Sequence, residues 1–525
     1  MDRREFLRAG AAGALILGGV PVDGWARRHR RALAVPAATA GTFAEGVAAG
    51  APKPRGIQLW TRLSGAGAGD RRLKLEVARD REFRRTVERR DVVARAARDG
   101  TVRARVEGRR LLAPGEEYFY RFEAGSGHSE VGRFRTLPPP DSREPVRIAF
   151  FSCQDWQIGW FGAHSALARE DVDVVVCLGD YIYERNFYES TKVRTDSLGA
   201  NRDGEVQTLD EYRAKYRLYK SDADLRAMHA AHSFLGIWDD HEVEDNYAGD
   251  LPGEETQQVR VPFLQRRANG YRAWDEYMPF DYVGRGTRIY RNLRVGRNAE
   301  LFLLDQRQYR DDQPCGDNIE QPCPEAETVP RKYLGDAQKA WFKRSLQGSG
   351  ARWKLVGNQL MVMALDAPNG STLNKDSWDG YGVERREVLG HVRDRRIRDV
   401  AFMTGDIHLF GAGDVGVDGR GPDSVATEFV AGSITSLAPG ESLEDQYGAP
   451  VPRDLARQTL DNVRAFNPHV RHVDQKEHGY AVAEARDGEL LVRFAAVPAA
   501  PARSTQGRTL ARFRVAAGTP RVQVL

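Results

Sequence analysis

Short apolar runs that end abruptly in polar residues recur through the C-terminal three quarters of this chain. They are VRIAFFSC (146–153), DVDVVVCLGD (171–180), AHSFLGIWDD (231–240), ELFLLD (300–305), WKLVGNQ (353–359) and DVAFMTGD (399–406). Continuous apolar runs of this length are typical of strands that are buried on both faces. Helical patterns at 209–230 and 335–346 separate several of them. Strand followed by helix, repeated, predicts an α/β domain whose chemistry gathers beyond the carboxyl ends of the strands.

The preceding part of the chain, residues 42–137, has a different pattern that predicts an all-β domain. Alternating or β-rich runs occupy 57–62, 73–78, 102–106 and 118–124, with Gly and Pro between them. The stretch LLAPGEEYFYRF places a tyrosine shortly after Leu-x-Pro-Gly, as at the tyrosine corner of sandwich domains. The proline-rich linker LPPPDSREP follows and predicts a boundary between domains at 41–138 and 139–525.

The N-terminus, MDRREFLRAGAAGALILGGV, has the pattern of an export signal. Arg3-Arg4 precede an apolar run, Ala9 to Val20, that is too short for a permanent membrane span. The arginine pair predicts a twin-arginine signal over residues 1–40, read by the twin-arginine export machinery, with Ala38-Thr39-Ala40 as cleavage site and Gly24-Trp25-Ala26 as a weaker one. We therefore expect a periplasmic or secreted protein without a membrane anchor after cleavage. The alternative is an amphipathic N-terminal helix.

The net charge of +4 comes from this N-terminal segment, which holds seven Arg against three acidic residues. The remainder of the chain is formally neutral, so the charge balance predicts no nucleic-acid-binding surface. The chain has four cysteines, too few for a disulfide scaffold. Cys315 and Cys323 flank a short polar loop and could pair, whereas Cys177 lies in a strand-like run as a small core residue. Cys153 is either a core cysteine or a metal donor.

Ionisable side chains stand where the predicted strands end. A lone Asp in such a place is usually a turn or cap residue. Several at one sheet edge would converge, and their carboxylates would repel each other unless protons or cations intervened. A metal centre accounts for the whole set, which comprises Cys153, Asp180, Asp240, His241, Asp305, Asn358, Gln359, Asp406 and His408.

The ligand types indicate two different cations. Tyr183, three residues after Asp180, offers a phenolate that suits Fe³⁺, and the Cys153 thiolate is a further strong donor. The carboxylates of Asp240 and Asp406 suit a divalent ion such as Ca²⁺ or Mg²⁺. Two neighbouring metals form a clamp for phosphoryl transfer. His241 is the candidate general acid for the leaving group, the alternative being a structural histidine.

The residues resemble a known family, the PhoD-like alkaline phosphatases and phosphodiesterases of the calcineurin-like metallophosphoesterases. The resemblance covers nearly the whole chain after the signal and is carried by GDYIYE, WDDHEV and TGDIH in this order, together with FAEGVAAGAP, IQLWTRL, SCQ, YRLYKSDADL, LDQRQYR, LGDAQKAWF, WKLVGNQLMV, DSWDGY and EFVAGSITS. It implies a fibronectin-type-III-like N-terminal β-sandwich, residues 41–138, followed by a metallophosphatase αββα sandwich, residues 139–525. It also implies a centre of Fe³⁺ and Ca²⁺, in which another divalent ion could replace Ca²⁺.

Carried over by position, the resemblance implies roles for individual residues. Asn246 and Arg307 would face substrate phosphate, although a structural ion pair is an equal alternative for Arg307. Asp155 stands where other metallophosphatases have a histidine ligand, and we do not expect it to bind. The implied iron ligands are Cys153, Asp180, Tyr183 and His408, and the implied ligands of the divalent ion are Asp180, Asp240 and Asp406.

The predicted function is therefore a metal-dependent, extracytoplasmic phosphoesterase. A metal-bound hydroxide would attack phosphate mono- and diesters, with His241 as general acid. One alternative is a phospholipase-type phosphodiesterase acting on lipid head groups, which would need an apolar entrance. An alternative of another class is a non-catalytic cell-surface binding protein, which the complete ligand set disfavours.

Overall fold

The fold is taken from a computed structural model of the chain. The structure describes residues 35–187, 192–253, 258–281, 286–316, 322–367, 371–372, 374–421, 423–442, 463–499 and 503–525. Most of the predicted signal segment, residues 1–40, therefore lies outside the described residues.

Three sheets make up the described part of the chain. The longest contains ten strands in the order β22-β21-β20-β19-β9-β10-β11-β1-β2-β5. A seven-stranded sheet has the order β12-β13-β14-β15-β17-β16-β18, and a smaller sheet has the order β4-β3-β6-β7, with β8 also paired to β6. The strands are β1 Val47–Lys53, β2 Gly56–Arg62, β3 Arg71–Ala78, β4 Thr86–Ala94, β5 Thr101–Glu107, β6 Glu117–Ala124, β7 Gly127–His128, β8 Gly132–Arg135, β9 Val146–Phe151, β10 Val174–Cys177, β11 Ser233–Gly236, β12 Arg291–Val295, β13 Ala299–Leu303, β14 Trp353–Asn358, β15 Val400–Thr404, β16 Phe410–Gly416, β17 Ser424–Val430, β18 Val470–Asp474, β19 Gly479–Ala485, β20 Glu489–Ala496, β21 Arg508–Ala516 and β22 Gln523–Val524.

The two large sheets stack face to face and bury one continuous core between them. Ile148 and Val175 of the ten-stranded sheet share that core with Leu301 and Met403 of the seven-stranded sheet. Helices cover the outer faces, which completes the predicted αββα sandwich. They are α1 Gly162–Leu167, α2 Leu209–Lys220, α3 Ala223–Ala231, α4 Phe263–Tyr277, α5 Pro324–Thr328, α6 Gly335–Gly348 and α7 Gly382–Asp394, with 3₁₀ turns at Ala96–Arg98 and Trp378–Tyr381.

The N-terminal β-sandwich shares a sheet with the αββα sandwich. Its small sheet packs on β1, β2 and β5, and the core between them includes Leu59 and Leu75. Strand β1 pairs in parallel with β11, where Ala49 lies opposite Ser233. The predicted tyrosine corner is present, because the Ala113 backbone N–H donates to Tyr118 Oη at 2.8 Å. The N-terminal strands therefore extend the large sheet, a pairing that the sequence pattern did not reveal.

One predicted helix is divided in the structure. The helical pattern at 209–230 forms α2 and α3, because Asp222 turns the chain and its side chain accepts from the N–H groups of Asp224 and Leu225. An Asp that caps a new helix in this way competes with continuation of the preceding one. Helix α2 itself begins with a capping box between Thr208 and Glu211.

The structure also bears on the predictions for the cysteines, for the residues near Ala38 and for membrane-spanning helices. Cys315 and Cys323 form a disulfide with an S–S distance of 2.06 Å, and Cys177 is a free, buried core residue. Ala38 is buried in the N-terminal core, and its N–H donates to Arg72 O at 2.9 Å. Among the described residues, no helix has both the length and the apolarity needed to cross a bilayer.

Candidate metal centre

The candidate ligands meet because the topology brings their strand ends together. Strands β9, β10 and β11 are parallel neighbours, so the residues that follow them, Cys153, Asp180 and Asp240, emerge at one edge. Asp406 and His408 follow β15 of the facing sheet. The site therefore lies where the carboxyl edges of the two sheets meet.

One group of ligand atoms surrounds the Cys153 thiol. Its Sγ lies 3.3 Å from Asp180 Oδ2. Tyr183 Oη lies 3.5 Å from the same Asp180 oxygen and 3.2 Å from His408 Nε2. The donor atoms of Cys153, Asp180 and His408 all lie within 4.8 Å of one another. Thiol, phenol, imidazole and carboxyl groups thus lie close together at this position.

The second group contains Asp180, Asp240 and His241, whose ligand atoms also lie within 4.8 Å of one another. Asp406 is linked to this group through Arg307, whose Nη2 lies 3.2 Å from Asp240 Oδ2 and 3.9 Å from Asp406 Oδ1. Asp180 is common to both groups. Its Oδ1 atom is buried and has no hydrogen-bond partner among the described residues.

Burial and repulsion between neighbouring carboxylates strongly change the pKa values of these acids. Burial, reinforced by neighbouring carboxylates, raises the pKa of Asp180 and of Asp406 well above the ordinary value. Burial also raises the pKa of the Cys153 thiol and the Tyr183 phenol. Burial alone would raise the pKa of Asp240, but its attraction to Arg307 and His241 lowers it below the usual range. A bound cation would offset the repulsion and favour the ionised forms of the whole set.

The backbone is strained at this site. Cys153, Asp180, Asn246, Asp406 and His408 have φ values of 58°, 53°, 57°, 66° and 56°. These are five of the twelve non-glycine residues with positive φ in the described part of the chain. Such conformations are unfavourable for L-residues and persist at functional sites where the surrounding fold holds them. Four of these five residues, all except Asn246, are candidate ligands, so the unusual backbone conformations coincide with the site.

His241, a member of the second group, is held in one orientation. Its Nδ1 lies 2.8 Å from Glu184 Oε2, and its ring stacks on Tyr183 with centroids 4.1 Å apart. Nε2 lies 4.0 Å from Asp245 Oδ1. Burial alone would lower the pKa of His241, but Asp240, Glu184 and Asp180 outweigh it and raise the pKa well above the ordinary value.

The two residues expected to meet substrate lie next to Asp240. The Asn246 N–H donates to Asp240 Oδ2 at 2.8 Å. Arg307 is fully buried, and its Nε atom donates to Asp239. Its Nη1 and Nη2 atoms donate to the two carboxylate oxygens of Asp376 at 2.9 Å and 2.7 Å. The structure thus shows the ion-pair arrangement of Arg307 that the sequence left open beside phosphate binding.

The other polar residues at the strand ends have structural partners. Asp305 Oδ1 accepts from Trp238 Nε1 at 3.1 Å. Gln359 Nε2 donates to the Trp238 carbonyl at 2.8 Å. Asp155 Oδ1 accepts from the Gln157 N–H at 2.8 Å, and Asp155 is in neither ligand group.

Several residues that position the ligands were not assigned a role from the sequence. Glu242 accepts from the N–H groups of Asp180, Tyr181 and Asp239 at 3.1 Å, 2.8 Å and 2.9 Å. The Leu437 carbonyl lies 3.0 Å from His408 Nδ1. Glu184 is the last residue of GDYIYE and Glu242 lies within WDDHEV, so their acidity was a usable signal. A backbone carbonyl has no such signal.

Solved structures share this architecture. A structure of PhoD superposes with a TM-score of 0.83 at 30% sequence identity, over 94% of this chain and 93% of that one. Purple acid phosphatase PPD1 from yellow lupin (Lupinus luteus) seeds shares the fold with a TM-score of 0.55 at 12% identity, over 90% of this chain and 73% of that one. The match to PhoD over nearly the whole chain defines a phosphoric ester hydrolase of the metallophosphatase class.

Sequence comparison is more specific. Residues 148–494 match the family described as PhoD-like phosphatase, and residues 29–138 match the N-terminal domain of PhoD-like phosphatases. Alkaline phosphatase D of Bacillus subtilis (strain 168) is 34% identical over 487 residues, which cover 90% of this chain and 80% of that protein. The chain belongs to the PhoD-like phosphatase family.

Proposed function

We propose that this protein is a metal-dependent phosphoesterase that hydrolyses phosphate mono- and diesters outside the cytoplasm. The observation that carries the proposal is the convergence of ligand atoms from four separate strand ends on two adjoining groups that share Asp180. Family membership and the similarity to an alkaline phosphatase D support the same reaction class.

The residues present fit two different cations. A thiolate, a phenolate and an imidazole with one carboxylate fit Fe³⁺ in the group around Cys153, whereas Asp240 and Asp406 offer oxygen ligands of the kind that Ca²⁺ prefers. Asp180 Oδ1, which is buried without a hydrogen-bond partner among the described residues, would be available as a further oxygen ligand. When bound, the pair would withdraw charge from the phosphoryl group and lower the pKa of an attacking water.

His241 would supply the proton to the leaving group. With Nδ1 bound to the Glu184 carboxylate, the ring is fixed and Nε2 is the nitrogen that remains for substrate. An alkoxide is a poor leaving group, so proton transfer from a positioned imidazolium lowers its barrier. The Glu184 carboxylate stabilises the charged ring before that transfer.

Arg307 and Asn246 complete the proposal. Asn246, anchored to Asp240 through its backbone, would contact the substrate phosphate from the edge of the second ligand group. Arg307 would hold Asp240 and Asp376 in place through its buried ion pairs, and we retain contact with phosphate as its alternative role.

Parallel assays test the reaction and its substrate class. The purified protein should hydrolyse bis-p-nitrophenyl phosphate at least as fast as p-nitrophenyl phosphate, and metal analysis should find iron and calcium in it. Activity on the monoester alone would contradict the diester assignment. Absence of both activities in metal-replete protein would instead favour the non-catalytic binding protein.

Export by the twin-arginine pathway is part of the proposal. Replacing Arg3 and Arg4 by lysine should retain the protein in the cytoplasm, because the pathway reads the arginine pair. Unchanged export of the double variant would contradict this assignment.

One structural observation favours phospholipase action as a second candidate. Three large apolar side chains near Asn246 in the sequence are exposed: Leu251 by 49%, Val259 by 74% and Leu264 by 55%. Exposed apolar side chains of this kind could contact a lipid surface. Hydrolysis of phospholipid vesicles in the presence of calcium would support this reading, and inactivity on vesicles despite activity on soluble diesters would exclude it.

A further inference from the structure

The segment 433–437, SITSL, contacts the candidate iron ligands from outside the ligand set. The N–H groups of Thr435 and Ser436 both donate to the Cys153 carbonyl at 3.3 Å. Leu437 O lies 3.0 Å from His408 Nδ1, which places the proton on that nitrogen and leaves Nε2 free to act as a ligand. This segment is therefore in contact with two of the ligand positions through its backbone alone.

A third contact is made by a side chain. Ser436 Oγ lies 2.6 Å from Tyr183 Oη and 3.0 Å from the Cys153 carbonyl oxygen. Ser436 is buried. Its hydroxyl has one hydrogen to donate, so it donates either to the tyrosine or to the carbonyl.

We propose that Ser436 donates its hydrogen to the Tyr183 phenolate oxygen when iron is bound, and thereby sets how strongly that ligand donates electrons. The inference rests on the proposed iron centre and names a residue that tunes it. Ser436 is a positioning and tuning residue here, because it contacts the ligand rather than substrate.

The number of available hydrogens indicates that Ser436 is the donor when Tyr183 is ionised. A neutral Tyr183 phenol can donate to Ser436 Oγ, which then donates to the Cys153 carbonyl. A phenolate has no hydrogen, so two oxygens at 2.6 Å form a hydrogen bond only if Ser436 is the donor. The Cys153 carbonyl then still accepts from the two backbone N–H groups, so rotation of the hydroxyl leaves no buried carbonyl without a partner.

The expected consequence is electronic. A hydrogen bond to an ionised acceptor is strong, and it is strengthened further in a buried, low-dielectric site. It withdraws density from the phenolate oxygen and so lowers the energy of the electrons that the ligand donates. Without it, the phenolate-to-Fe³⁺ charge-transfer band should move to longer wavelength, and the more strongly donating phenolate should lower the reduction potential of the iron.

The test compares Ser436→Ala with two control variants as iron-loaded proteins. Thr435→Val removes the neighbouring buried hydroxyl, which donates to the Asp155 carbonyl rather than to Tyr183. Ser436→Thr keeps a hydroxyl at the position. We expect the visible band to shift to longer wavelength, and the potential to fall, in Ser436→Ala, with both controls close to wild type. An unshifted band in Ser436→Ala, or an equal shift in Thr435→Val, would overturn the inference.

A measurement on the unaltered protein avoids any dependence on how the variants fold. Because the proposed donor is an exchangeable O–H, the phenolate C–O stretch in the resonance Raman spectrum should change frequency in D₂O. An identical spectrum in H₂O and D₂O would overturn the inference. So would a wild-type protein without a tyrosine-to-iron band, in which case phosphoesterase assays on the same preparation show whether the proposed function nevertheless stands.

Discussion

Glu184 and His241 form a buried carboxylate–imidazole pair, with Glu184 Oε2 2.8 Å from His241 Nδ1. The pair joins two motifs 57 residues apart, GDYIYE and WDDHEV, at the edge of the metal centre. It fixes the ring orientation, and it ties the proposed general acid to a charge that stabilises the imidazolium.

Replacing His241 by Ala should slow substrates according to their leaving groups. For esters with alkoxide leaving groups, kcat should fall by roughly 10²–10⁴-fold, because the departing oxygen needs a proton. For p-nitrophenyl esters the loss should be much smaller, because p-nitrophenolate leaves unprotonated. A leaving-group series compares the two classes, with the exposed His128 replaced by Asn as control. An equal loss across the series would rule out the general-acid role.

Replacing Glu184 by Gln should reduce kcat with little change in KM. The amide oxygen can still accept from His241 Nδ1, but the charge that stabilises the imidazolium is lost. By analogy with other outer-shell carboxylate–histidine pairs, we expect a loss of about 10–100-fold. Steady-state kinetics on an alkyl phosphate ester would measure it, and an unchanged kcat would show that the carboxylate charge is unimportant.

Replacing Arg307 distinguishes its two proposed roles, which are to form buried ion pairs and to contact substrate phosphate. Arg307→Met leaves the carboxylates of Asp239 and Asp240 without their buried cation, whereas Asp376 keeps its ion pair with the buried Arg310. The free energy of unfolding should fall by about 3–5 kcal/mol, and by less in the metal-loaded protein, where cations compensate part of the charge. Chemical denaturation of both forms measures this. A raised KM with unchanged stability would instead assign Arg307 to substrate phosphate.

Glu242→Gln should disturb the backbone that presents Asp180. The carboxylate accepts from three N–H groups, and an amide can satisfy them only in part because one of its two polar atoms is a donor. We expect a loss of about 1–3 kcal/mol in stability from unsatisfied buried groups, together with weaker metal binding. Denaturation and metal titration would measure these effects. The exposed Asp487→Asn is the control and should change neither quantity.

The burial of Lys220 predicts that the free energy of unfolding depends on pH, and this effect is independent of the metal centre. Its Nζ atom lies 4.5 Å and 5.2 Å from the ring centroids of Trp60 and Tyr181, and burial lowers its pKa to about 7. Because an unfolded lysine has a pKa of about 10.4, the unfolded state binds more protons between these two values. This group therefore makes the free energy of unfolding rise with pH across that window, by up to about 1.4 kcal/mol per pH unit.

Lys220→Met removes this contribution, so the variant should gain stability relative to wild type near pH 7, and the gain should shrink as the pH rises towards 10. Denaturation at a series of pH values measures the difference. The half-exposed Lys53→Met is the matched control and should follow the wild-type profile. A constant difference between Lys220→Met and wild type at every pH would contradict the prediction.

Much of the secondary structure could be predicted from local pattern. Strands β9 and β15 lie inside the apolar runs 146–153 and 399–406, and α6 matches the helical pattern at 335–346 within two residues. The two strands are mostly apolar and buried, whereas α6 buries one face, which includes Phe342 and Leu346. The division of 209–230 at Asp222 was missed because a single capping residue leaves the helical periodicity on both sides intact.

The sequence indicated the ionisable residues of the candidate site but not the groups that contact and position them. Cys153, Asp180 and Asp240 stand out because ionisable residues follow several successive apolar runs, although a lone Asp in such a place is an ordinary turn residue. The Ser436 hydroxyl and the Leu437 carbonyl do not, because serine and backbone groups occur throughout any loop. Only their distances to Tyr183 and His408 distinguish them.

The sequence by itself determined which segments become buried strands and which side chains stand at their ends, because both depend on the local succession of apolar and polar residues. The tertiary structure decided how those ends meet. The parallel pairing of β9, β10 and β11 and the opposing β15 bring Cys153, Asp180, Asp240 and Asp406 to one seam, and β1 joins the N-terminal strands to the same sheet. These relationships depend on contacts between residues distant along the chain, and local pattern carries no record of such contacts.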